Sequence, residues 1–103
     1  MQLIEIFLPL NRNDGTPQPA TLLHTVREEM IERFGGVTAF TRSPAKGITA
    51  EEGDDRAEDD IVVYEVMVQS LDATWWSSYK RQLEQRFQQR EILIRAIPAD
   101  LIN

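Results

Sequence analysis

Four charged residues set among apolar neighbours, Glu5, Arg42, Glu65 and Arg95, hold most of the chemistry this chain could perform. Each interrupts a run of apolar residues: Leu3-Ile-Glu-Ile-Phe-Leu8, Val37-Thr-Ala-Phe-Thr-Arg42, Ile61-Val-Val-Tyr-Glu-Val-Met-Val68 and Ile92-Leu-Ile-Arg-Ala-Ile97. Two carboxylates close together in apolar surroundings repel one another and lose hydration, which raises the pKa of one and lets it act as a base. A guanidinium nearby could hold an anionic group in bidentate fashion. Glu5 and Glu65 are therefore the candidate catalytic residues, with Arg42 or Arg95 as the anion holder. The same four groups also read as paired ions within a contact between two copies, and structural ion networks perturb pKa values too. That second reading is preferred, so the balance lies against an enzyme.

Other chemistries find little to work with. Cysteine is absent, which removes disulfides, thiolate nucleophiles and thiolate metal sites. His24, the one histidine, lies off the apolar stripe of its helix and is expected to face water. The acids Asp54, Asp55, Glu58, Asp59 and Asp60 do not follow the spacing of a calcium-binding loop. Gly35-Gly36 closes a helix rather than opening one, so it is no phosphate cradle. No cofactor and no metal are expected.

The net charge of −6 has a local origin, since residues 51–60 hold seven of the 17 acids and one base. The remainder is neutral, a poor basis for binding nucleic acid, and the run 61–68 lacks the Lys/Arg-Gly-aromatic motif of an RNA-recognition sheet. No apolar run reaches 18 residues, the length of a membrane span, and the first ten residues lack the basic start of a signal peptide. Neither nucleic acid nor membrane is an expected partner, and the expected location is cytoplasmic.

Four strands and two helices must position these groups. Residues 3–10 form β1, ending at Pro9. Pro19 opens α1, whose stripe is Leu22, Leu23, Val26, Met30 and Phe34, with Glu29 and Arg33 as a helical ion pair and Gly35 as its stop. Residues 37–43 form β2, and a mobile acidic loop is expected over about 44–60. Residues 61–68 form β3. Asp72 caps α2, whose stripe is Trp76, Tyr79, Leu83 and Phe87, and residues 92–97 form β4. The order β-α-β-β-α-β predicts a single ferredoxin-like α+β domain over 1–103. It has a four-stranded antiparallel sheet of order 4-1-3-2 with both helices on one face.

Alternation then divides each strand into two sets. Ile4, Ile6, Leu8, Val62, Tyr64, Val66, Val68, Ile92, Ile94 and Ala96 belong under the helices, with Val37 and Ala39 the best fit in β2. The opposite face receives Leu3, Phe7, Phe40, Ile61, Val63, Met67, Leu93 and Ile97 beside Glu5, Thr38, Arg42, Glu65 and Arg95. A solvated face would be polar. Eight apolar side chains make a patch on the order of several hundred Å2, the size of an interaction site. Phe7, Phe40, Arg42, Val63, Met67, Leu93 and Arg95 are thus the expected interface or ligand-binding residues. The expected partner is a second copy in a homo-oligomer, most simply a dimer, with a small molecule as a further ligand. Trp75, on the flank of the α2 stripe, either anchors a protein partner in an adaptor role or covers the core edge; the second reading is preferred.

The segments Ile4-Glu-Ile-Phe-Leu-Pro-Leu10, Arg33-Phe-Gly-Gly-Val-Thr-Ala-Phe-Thr-Arg42 and Glu65-Val-Met67, together with Trp75-Trp76, resemble a family of small uncharacterised bacterial proteins of about this length. The resemblance covers nearly the whole chain, least the acidic stretch. It implies a bacterial, cytosolic setting and carries no activity. In plan the chain is also similar to dimeric α+β barrel proteins, in which two such sheets pack face to face.

Overall fold

The computed structural model describes the backbone of residues 1–50 and 56–103, and the side chains outside residues 41–59. Its elements run β1 (Gln2–Pro9), α1 (Ala20–Phe34), β2 (Thr38–Ala50), β3 (Arg56–Val68), α2 (Ala73–Arg86) and β4 (Ile94–Pro98). The sheet order is β2-β3-β1-β4, with every neighbouring pair antiparallel. This is the ferredoxin-like α+β architecture that the element order predicts.

Local chemistry sets the helix ends. The Trp75 amide donates to the Asp72 carboxylate at 3.1 Å, satisfying one orphan donor of α2. Pro19 occupies the N-cap of α1 rather than its first turn. Gly35 ends α1 in the left-handed region, at φ 87°, where a side chain would be strained, and its amide donates to the Ile31 carbonyl at 2.8 Å.

The core lies between sheet and helices. Ile4, Ile6, Leu8, Val62, Tyr64, Val66 and Ile92 meet Val26, Met30, Trp76, Tyr79, Leu83 and Phe87, all buried. Alternate strand residues and three- and four-step helical residues meet because those are the two backbone periods. Among the described residues one buried polar side chain joins them. Gln18, buried in the turn before α1, donates from Nε2 to the Phe87 carbonyl at 3.1 Å, tying the β1–α1 connection to the end of α2.

The hairpin differs from expectation. Residues 44–50 and 56–60, read from sequence as loop, continue β2 and β3, with Ala45 opposite Ile61 and Ala50 opposite Arg56; residues 51–55 lie outside the described residues. Pro44 and Gly47 read as turn chemistry, but β2 is an edge strand, where proline is tolerated at an irregularity. The register shifts between Phe40 and Ala45, around that proline. Strand β4 begins at Ile94, two residues later than expected, although Ile92 is buried as expected. Ala39, assigned to the covered side, is exposed, and Ala96 on the other edge strand is exposed too.

The Glu29–Arg33 helical pair also gives way to longer-range partners. Arg86 clamps Glu29 through both terminal nitrogens, at 2.6 and 2.9 Å, and the Tyr79 hydroxyl donates to the same carboxylate at 2.8 Å. A bidentate guanidinium outcompetes a single flexible helical contact. These bonds join α1 to α2 and hold the Glu29 carboxyl below its usual pKa, Arg86 contributing most.

Candidate functional site

The antiparallel register builds the helix-free face as rows across the strands. In one row Thr38 (β2), Glu65 (β3), Glu5 (β1) and Arg95 (β4) stand side by side. In the next row Phe40, Val63 and Phe7 are paired, and the Phe7 amide reaches the Leu93 carbonyl at 3.0 Å. On the other side Met67, Leu3 and Ile97 are aligned. A polar row thus runs between two apolar ones.

The charged row is asymmetric. Arg95 donates from Nε to Glu5 Oε1 at 2.6 Å, and its guanidinium lies 4.9 Å from the centre of the Phe7 ring. Glu5 is nearly covered, at 13 % exposure, while Arg95 is 54 % exposed. Glu65 stands across from Glu5 on the side away from the arginine. Lost hydration raises the Glu65 pKa above its ordinary value, and the neighbouring Glu5 carboxylate adds to the rise. Among the described residues no basic group pairs with Glu65. The Arg42 side chain lies outside the described residues.

Glu65 also opens onto a hollow of about 360 Å3, lined by Thr38, Met67 and the Phe34-Gly35-Gly36-Val37 turn that follows α1. Gly35 and Gly36 add no side chains to this wall. Around the row, Phe40, Leu93 and Ile97 are 46, 48 and 39 % exposed. Leu3, Phe7, Ile61 and Met67 are half-buried, and Val63 is buried between its flanking phenylalanines.

Trp75 is elsewhere, on the helix side. It is half-buried, packs its edge on Phe34 and Trp76, and stacks with Tyr79 at 4.9 Å. The Arg33 guanidinium sits 4.0 Å from its ring centre. It covers the core edge and is itself covered by Arg33, which leaves little of an adaptor's open anchor. On the outer face of α2, Lys80 is engaged by Glu84 and Glu91 at 2.5 and 3.0 Å. His24 faces water, 3.7 Å from Glu28.

Sequence reasoning brought Glu5, Glu65 and Arg95 together but missed the Arg86–Glu29–Tyr79 cluster and Gln18. Glu29 and Arg86 are 57 residues apart, and no spacing rule links them. Among the described residues no group of three acidic or histidine side chains is placed to hold a metal ion, and no helix is long and apolar enough to cross a membrane.

Fold and face together define the class: a small ferredoxin-like α+β sandwich with one uncovered sheet face. No family model matches the chain, and no curated protein matches it. Solved structures do. The divalent cation tolerance protein Cut A1 from Thermus thermophilus is similar over 100 % of this chain and 88 % of its own, with a TM-score of 0.63 at 15 % identity. A phage SAM lyase in complex with S-methyl-5'-thioadenosine is similar over 99 % of this chain and 92 % of its own, with a TM-score of 0.57 at 13 % identity. The same lyase in its apo state gives a TM-score of 0.59 at 12 % identity, over the same shares. These likenesses establish the fold.

Proposed function

We propose that the protein acts as a self-associating domain whose helix-free sheet face is the contact between copies. The observation that carries this reading is the pair of apolar rows on that face, with Phe40, Leu93 and Ile97 well exposed. Burial returns about 25 cal/mol per Å2 of apolar surface before the cost of association, so covering these rows with a like surface favours self-association. A second copy is the simplest matching surface, and closed symmetry makes a dimer the smallest assembly. Sedimentation at micromolar concentration tests it. The wild type is expected to be oligomeric and Leu93→Glu monomeric, with an unchanged circular dichroism spectrum. A monomeric wild type would end this reading.

A second reading, a small-molecule site using Glu65 as proton acceptor, is favoured by the hollow beside that carboxyl. The phage lyase shows that this architecture can hold a small molecule, although no residue transfers at 13 % identity. The reading requires a carboxyl that keeps its proton above the ordinary range. A raised pKa means the folded chain binds that proton at pH values where the unfolded chain has released it. The charged form then costs stability above the folded pKa, and the cost vanishes as pH falls below the unfolded value. Glu65→Gln is therefore expected to raise the melting temperature at pH 7 and to leave it unchanged near pH 3. Equal shifts at both pH values would remove the basis for Glu65 as a base.

A further inference from the structure

Building on the self-association reading, we propose that copies dock with opposite ends of the charged row together, so that Glu65 of each meets the partner's Arg95. The row carries Glu65 on β3, Glu5 on β1 and Arg95 on β4; Arg95 bonds Glu5 through Nε alone, so its outer side is the cationic end of the row and Glu65 the anionic end. Adjacent strands lie about 4.8 Å apart, which places Glu65 and Arg95 at similar distances on either side of β1. Burying this row against a purely apolar surface would strand the Glu65 carboxylate without compensation, a severe cost.

Symmetry narrows the alternatives. A two-fold axis running across the strands along this row sets Glu65 on Glu65 and Arg95 on Arg95. A two-fold running along β1 exchanges the β3 and β4 sides, and a head-to-tail ring joins the acidic end of one row to the basic end of the next. Both of the latter bring Glu65 to the partner's Arg95. Arg95 has the capacity for a second carboxylate: it bonds Glu5 through Nε, its terminal nitrogens make no hydrogen bond among the described residues, and it is half exposed. The apolar rows on either side would close over the pair and strengthen it by excluding water.

Charge reversal provides the test. Glu65→Arg is expected to weaken self-association by about tenfold or more, and Arg95→Glu likewise. Combining both reversals in one chain restores the pairing with exchanged signs and is expected to return the dissociation constant to within about threefold of wild type. Folding is expected to stay intact at least in Glu65→Arg and the double variant, because position 65 stands across from Glu5, to which an arginine there supplies a neighbouring cation. Dissociation constants come from sedimentation, and circular dichroism melts report folding. If single reversals leave association unchanged while Leu93→Glu abolishes it, the charge pairing is overturned and the sheet-face contact survives. If the double variant is no better than the singles, the pairing is overturned too. A monomeric wild type overturns both.

Discussion

Phe87→Ala is expected to lower the unfolding free energy by about 3–5 kcal/mol. Phe87 is the largest of the fully buried side chains among the described residues, since the bulkier Trp76 and Tyr79 keep a sliver of exposure. It ends the α2 stripe one residue beyond the helix, where its amide donates to the Leu83 carbonyl at 2.9 Å. The substitution keeps the backbone, so the Gln18 bond to the residue 87 carbonyl can persist and the loss reports the cavity. A chain of this size has roughly 5–15 kcal/mol of stability in total, so the variant should sit at the margin of folding. Urea unfolding checks it: the midpoint should drop steeply with an unchanged slope. A loss under about 1 kcal/mol would show that α2 can collapse into the space.

The contrast between Phe87 and the hairpin shows which parts of the fold were legible in the sequence. Phe87, Leu83, Tyr79 and Trp76 follow a helical step, and Ile4, Ile6 and Leu8 alternate, so pattern alone places them under cover. The sheet order follows from handedness and element order, and antiparallel pairing then brings Glu5 between Glu65 and Arg95. These are consequences of backbone periods, which a single sequence expresses directly. The extension of β2 past Pro44 was not legible, because proline and glycine lose their meaning as breakers on an edge strand. Partners chosen through space were equally hidden. Arg33 leaves Glu29 for the Trp75 ring, and Arg86 takes its place, because the two helices are brought together by the core and not by their own sequences. The site shows the same division: its row could be read from strand alternation, whereas the hollow beside Glu65 depends on how the Gly35-Gly36 turn passes the sheet.

The adjacent tryptophans should respond differently to truncation. Trp76→Ala is expected to cost about 3–5 kcal/mol and Trp75→Ala about 1–2 kcal/mol. Trp76 is buried, stacks on Phe34 with centroids 5.3 Å apart and rings within 9° of parallel, and meets Trp75 and Tyr79 edge-on. Its removal empties the space between α1 and α2. Trp75 lies one step around the helix, where the Arg33 guanidinium sits over its ring and Tyr79 stacks with it. Losing it forfeits a cation–π contact and an aromatic pair, but solvent can fill the site without a dry cavity. Paired urea titrations decide the order, and each single-tryptophan variant supplies its own fluorescence reporter. The tryptophan left in Trp75→Ala should emit at the shorter wavelength, as the more buried indole. Equal losses would mean that Trp75 is as much a part of the packing between the helices as its neighbour. A negligible loss for Trp75→Ala would instead leave that indole energetically spare and restore it as a candidate anchor for another protein.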